Sequence, residues 1–287
     1  MKLDYRCPAC ILKVAAREAR YVPTDRRLPF IRDVVRVLHS MMDEAPTPAH
    51  IAAEREKLLK SYSGSEDPYA TRKGELIELV RKDLVPLIEE ELVNLPEGYH
   101  RFRWLALNSA SANGYEVPLM GGKDLIERFT KVVARDLEID GTEEAFDIVT
   151  KAGPGDIISF IFDNAHEAPI DLILVKYLEQ MGKTVYLFAK KSPMADDLTV
   201  EELRSLHKSP YIFGLSSPLG VMPERETEVN MNILRSSKLI IAKGMANYET
   251  LTEVDLGVKV LHLLTLKCEA VAEHAGGKLG SPVAIMR

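Results

Sequence analysis

Before residue 153 the apolar positions recur at helical spacing; after it, short apolar runs alternate with amphipathic stretches. Ile11, Leu12, Val14 and Ala15 predict a first helix, and Phe30, Ile31, Val34, Val35, Leu38 and Met41 a second with one apolar face. Thr47-Pro48 predicts the start of a third, with Thr as cap and Pro at the first helical position. Leu76, Ile77, Leu79 and Val80 mark a fourth, which Pro86 should kink or end. Trp104, Leu105 and Leu107 mark another, followed by an Asn113-Gly114 loop. Leu125, Ile126, Phe129, Val132 and Val133 predict the last long one.

Beyond Gly153-Pro154-Gly155 the apolar runs cover 157–162, 184–189, 238–242, 258–264 and 282–286, with a further short strand at 211–215. Such uninterrupted runs suit strands buried on both faces of a parallel sheet. Between the first two, 170–181 reads as a helix closed by Gly182. Strand, helix, strand with short joints is the right-handed crossover unit. The fold class expected is α/β: a helical cap domain over 1–153, then a doubly wound domain over 154–287 with a mainly parallel, Rossmann-like sheet.

Composition narrows the function. The chain has 287 residues, is 46% hydrophobic and has a formal charge of -6. The negative charge argues against a general nucleic-acid partner. No apolar run is long enough for a membrane span, and from the charged start no secretory leader is expected. Three cysteines make no disulfide framework, so a cytoplasmic location is expected.

In open α/β sheets the loops at the carboxyl ends of strands form the ligand crevice. The first strand delivers Asp163, Asn164, His166 and Glu167; the second leads to Asp196-Asp197. The later strands end in Lys243-Gly244 with Asn247, and in Lys267. Carboxylate and amide oxygens suit a hard divalent cation, and lysines with a glycine loop suit phosphate. Together they describe phosphoryl chemistry at a metal. Asp163 or Asn164 would serve equally as a helix cap, and Asp196-Asp197 could simply open the next helix. His166 reads as a loop histidine. Cys7-Pro8-Ala9-Cys10 supplies two of the four ligands a structural zinc needs, so packing is its first reading, with a redox pair as the alternative.

Four stretches together resemble the damage-control phosphatases, in the archaeal subfamily with an N-terminal CxxC: Cys7 to Cys10; Asp67-Pro68-Tyr69 with Lys73; Asp163-Asn164-Ala165 with Glu167; and Lys243-Gly244-Met245-Ala246-Asn247-Tyr248-Glu249. The ending Leu266-Lys267-Cys268-Glu269 and Gly280-Ser281 also look like that family. The resemblance implies a helical part plus a three-layer α/β/α part, acting as a metal-dependent phosphoric monoester hydrolase on small phosphorylated metabolites. It implies metal ligation by Asp163, Asn164 and Asp197, with Mn²⁺ or Ni²⁺ first and Co²⁺ or Mg²⁺ next. It implies substrate phosphate held by Lys243, Gly244, Asn247 and Lys267, and an activity that needs Cys7 and Cys10. This chain has His166 where the family usually has Gly, Asp196 where it has Asn, and Asn113-Gly114 in place of a Gly-Asn pair. Glu167 is expected to orient or deprotonate a water, with Asp163 as nucleophile in the alternative mechanism. One rival is a nucleotide- or S-adenosylmethionine-binding transferase; the missing glycine-rich fingerprint after the first α/β strand argues against it. The other rival is a non-enzymatic binding module built on the CxxC helix.

Overall fold

The computed structural model describes residues 1–44, 47–114, 127, 131 and 136–287. Six strands form one sheet in the order β3-β2-β1-β4-β5-β6. They are β1 (Ile157–Ile161), β2 (Thr184–Lys190), β3 (Ile212–Leu215), β4 (Leu239–Lys243), β5 (Val260–Thr265) and β6 (Pro282–Met286). All neighbours are parallel except β5 and β6. Each falls within a residue or two of its apolar run.

Strand side chains alternate between two cores. Ile158 and Phe160, Leu187, Leu239 and Ile241, and Leu261 and Leu263 point into one hydrophobic cluster. Ile161, Phe188, Ile240, Ala242 and Val260 point into the other. A strand without a polar face needs cover on both sides, and the result is the three-layer α/β/α arrangement.

Among the described residues the N-terminal half carries the α-helices α1 (Cys7–Glu18), α2 (Arg27–Met41), α3 (Pro48–Ser63), α4 (Ala70–Asp83), α5 (Val85–Val93), α6 (Tyr99–Ala112) and α7 (Thr142–Lys151). Helices α1 to α3 keep a core of their own, around Ile11, Phe30, Val34, Leu38, Ile51 and Leu59. Leu76, Val80, Ile88, Phe102, Leu105 and Val149 instead share a cluster with the sheet. The break at Gly153-Pro154-Gly155 is thus a change of element type, whereas the packing changes between α3 and α4.

Local signals act much as expected. Pro86 sits in the first turn of α5, just after α4 ends. Pro48 starts α3, but Thr47 does not cap it; its hydroxyl bonds His50 Nδ1 at 2.9 Å. Gly182 follows the helix α8 (Ala168–Gln180) in the left-handed region, φ +76°. The remaining helices are α9 (Val200–Leu206), α10 (Glu228–Ser236), α11 (Gly244–Leu251) and α12 (Glu269–Ala275). The helix expected around Leu125 to Val133 lies outside the described residues. Among the described residues no helix is long and apolar enough to cross a membrane.

Candidate active site

Chain direction across the sheet reverses between β1 and β4, and such a switch point opens a crevice at the strands' carboxyl ends. There β1 delivers Asp163 and Asn164, and β4 delivers Lys243 and Gly244. The loops after β1 and β2 are stitched together by their backbones. Leu198 N–H donates to the Asp163 carbonyl at 2.8 Å, and Ala165 N–H to the Asp196 carbonyl at 2.8 Å. Asn164 and Asp197 face each other in an antiparallel bridge. None of these polar side chains is a helix cap: α8 starts after Glu167 without a side-chain cap, and α9 is capped by Thr199 with Glu202 in a reciprocal box.

Asn113, at the end of α6, joins this group. Its Nδ2 donates to Asp163 Oδ2 at 2.9 Å and to Glu167 Oε1 at 2.8 Å. Asn164 Nδ2 donates to the same two oxygens, at 3.0 Å to Asp163. Burial raises the Asp163 carboxyl to about 7, and the Glu167 charge adds to the rise. Asp197 is pushed well above the usual carboxylate range by burial; the Lys190 ammonium opposes this and Asp163 reinforces it. Asp197 Oδ2 is buried without a hydrogen-bond donor, and its nearest cation, Lys190 Nζ, stands at 3.8 Å. Two buried carboxylates whose charge the nearby lysines offset only in part, beside an amide, form an all-oxygen donor set suited to a divalent cation. Among the described residues no three His, Cys, Asp or Glu side chains are grouped to hold a metal, so the candidate set needs the Asn164 amide.

Gly244 has φ +77°, and a Cβ there would lie 1.8 Å from Asp163 Oδ2. Only glycine lets the first turn of α11 approach that carboxylate.

Lys243 and Asn247, which the resemblance makes phosphate-holding residues, are engaged within the protein in this structure. Lys243 is fully buried and its ammonium contacts Glu167 Oε2 at 3.1 Å, Asp171 Oδ1 at 3.2 Å and the Ser109 carbonyl. Those three partners match its three N–H donors. Ser109 Oγ donates to Asp171 Oδ1 at 2.6 Å. Asn247 Nδ2 donates to the Lys243 carbonyl at 2.8 Å and the Phe162 carbonyl at 3.4 Å, tying α11 to the exit of β1. Glu167 is also fully buried, and Lys243 holds its carboxyl below the usual range although burial opposes this. Its Oε1 is occupied by the two asparagine amides, so its contacts are those of a positioning group.

Lys267 does face open space. It lines a cavity of about 240 Å³ with Asn164, His166, Asp196 and, from the helical cap, Tyr69 and Lys73. Lys73 is pinned by Asp67 at 2.7 Å and Glu202 at 3.0 Å. Tyr69 donates to Glu18, which pairs with Arg55 Nε at 2.9 Å. The motif Asp67-Pro68-Tyr69 with Lys73 therefore builds the cap-side wall. Cys7 and Cys10 do not line this cleft; they line a separate cavity.

Sequence reasoning assigned no role to Asn113, Ser109, Asp171 or Lys190. Asp171 left a trace, a lone carboxylate in the apolar stretch Pro169-Ile170-Asp171-Leu172-Ile173. Asn113 shows only as part of the Asn113-Gly114 pair that replaces a Gly-Asn pair, while Ser109 and Lys190 look like ordinary polar residues in sequence.

Comparison with known proteins gives a consistent result. The family model described as the damage-control phosphatase ARMT1-like domain matches residues 3–283. A damage-control phosphatase of Archaeoglobus fulgidus is 27% identical over 294 residues, covering 99% of each chain. The damage-control phosphatase PH1575 of Pyrococcus horikoshii is 28% identical over 284 residues, covering 96% of this chain and 94% of that one. The crystal structure of a DUF89 family protein from Pyrococcus horikoshii superposes with a TM-score of 0.87 at 26% identity, covering 99% of both chains.

Proposed function

The chain belongs to the damage-control phosphatase ARMT1-like family, and from that premise we propose that it is a metal-dependent phosphatase acting on phosphate monoesters of small metabolites. Sugar phosphates, nucleotide-like compounds and damaged phosphometabolites are the substrate class. The observation that carries this reading is the bridge between Asn164 and Asp197 from two strand exits, with Asp163 bonded to the Asn164 amide, where Asn164 lines a cleft shared with Lys267.

Asp163, Asn164 and Asp197 would hold the cation, Mn²⁺ or Ni²⁺ first, with Co²⁺ and Mg²⁺ as alternatives. Bound there, it supplies neutralising charge to the phosphoryl oxygens and a lowered pKa to water. Lys267 takes a phosphate oxygen and holds it while charge builds at the reacting group. Asn113 and Glu167 fix the rotamer of Asp163 and the amide of Asn164, so the donor set is organised before substrate arrives. Lys243 and Asp171 fix Glu167 in turn.

The test is phosphatase turnover on a panel of phosphate esters with Mn²⁺, for the wild type, Asp163→Ala and Asp197→Ala. Loss of turnover and of Mn²⁺ binding in both variants is expected. Full activity in both would remove the assignment.

A further inference from the structure

A second cavity, of about 140 Å³, is lined by Cys7 and Cys10 of α1, by Cys268 just before α12, and by Glu249 of α11. These are all the cysteines of the chain. None is in a disulfide. Cys7 is buried in a hydrophobic cluster against which Cys268 packs, and Cys10 is an exposed residue. Burial raises the Cys7 thiol to about 11, so it stays protonated. Burial also raises the Glu249 carboxyl to about 7, which leaves an acceptor for a thiol proton beside it at neutral pH. Three cysteines and a carboxyl lining one cavity form a constellation that the phosphatase site does not use.

We propose that this cavity is a thiol–disulfide exchange site in which Cys10 meets the oxidant and the final disulfide joins Cys7 to Cys268. The oxidant is a small-molecule disulfide of the glutathione class. The Cys10 thiolate attacks one of its sulfurs, forms a mixed disulfide and expels a first small thiolate. The Cys7 sulfur attacks Cys10 Sγ and expels the second. The Cys268 sulfur attacks Cys7 Sγ, and Cys10 leaves as a thiolate again. Glu249 accepts the proton from each attacking thiol and passes it outward. In sum, Cys7 and Cys268 lose two electrons and two protons, and the small disulfide becomes two thiols.

The bond would connect the two walls of the active-site cleft. Cys268 follows Lys267 directly, and α1 places Val14 in both cavities and Arg17 and Glu18 in the cleft. Joining Cys7 to Cys268 fixes α1 against the Lys267 loop. The effect on turnover rests on the phosphatase reading; the bond itself does not.

The experiment uses the full chain incubated with oxidised glutathione, digested without reduction and mapped by mass spectrometry. A Cys7 peptide linked to a Cys268 peptide, released by dithiothreitol, is the expected result. Oxidised protein should lose at least about tenfold in turnover, the scale of a misplaced substrate-binding group. Cys268→Ser and Cys268→Ala should lack the cross-link, melt like the wild type and keep their turnover under oxidation. A bond confined to Cys7 and Cys10, glutathione resting on Cys10 alone, or thiols shielded by tightly held zinc would each overturn the proposal. The wild-type map decides this even if both variants misfold. A cross-link in protein that hydrolyses no phosphate ester would instead count against the phosphatase reading.

Discussion

Gly244 stands so close to Asp163 that a Cβ on the glycine would lie 1.8 Å from the carboxylate oxygen. The end of β4 therefore sets the position of the acid that β1 delivers. Gly244→Ala must displace Asp163 or unwind the first turn of α11, and its φ of +77° adds strain for any L side chain. We predict that Mn²⁺-dependent turnover falls by at least about a hundredfold, in line with the cost of misplacing a reacting group by an ångström. Wild-type kinetics in Gly244→Ala would show that this contact is dispensable.

Lys243 and Lys267 should respond differently to the same substitution. Lys243→Met leaves Glu167 and Asp171 buried without their cation, at a cost of about 3–5 kcal/mol in stability. Lys267→Met touches the cleft, so it should leave the melting temperature within a few degrees and lower kcat/KM. Thermal melts and Michaelis kinetics on both variants check this. A Lys243→Met protein that melts like the wild type would contradict the buried role.

Asn113 gives one amide nitrogen to two carboxylates. Asn113→Ala should weaken Mn²⁺ binding and slow turnover, losing about 1.5–3 kcal/mol for each bond to a charged group. Asn113→Asp should be worse, since it adds a third negative charge where Asp163 and Glu167 already repel. Calorimetric titration with Mn²⁺ ranks the variants; the reverse order would refute the placement.

Metal-free protein should lose stability as pH rises toward 8. Asp163, Asp171 and Glu249 each keep a proton up to about pH 7, and Glu18 up to about 8, chiefly because they are buried. Between roughly pH 4 and 8 the folded chain therefore binds more protons than the unfolded one, and unfolding free energy falls with rising pH, by at most about 1.4 kcal/mol per pH unit per group. Glu167, held below its usual range, works in the opposite direction at lower pH. Denaturant unfolding of chelated protein at pH 5.5 and 8 measures the slope. Saturating Mn²⁺ should flatten it, because the cation replaces the proton on Asp163. A chelated protein that is more stable at pH 8 would reverse the sign.

The strands and the residues at their exits can be read from the amino-acid order alone. Apolar run length, the Gly153-Pro154-Gly155 break and Gly182 are local signals, and they locate β1 and its exit into Asp163-Asn164 without knowledge of any partner. The resemblance carried by the same motifs pointed to the family. The remaining contacts follow from how the elements pack. Lys243 reads in sequence as an exposed phosphate ligand, yet β4 lies beside β1 and α8, so its ammonium is buried between Glu167 and Asp171. Asn113 becomes part of the site because α6 packs on the face of the sheet where β1 ends. Cys268 and Cys7 line one cavity because α1 and the loop after β5 lie side by side. The physical reason is common to all three. A side chain's neighbours across the fold depend on strand order and helix docking, which are set by the burial of whole faces and leave no mark on the short stretch where the residue stands.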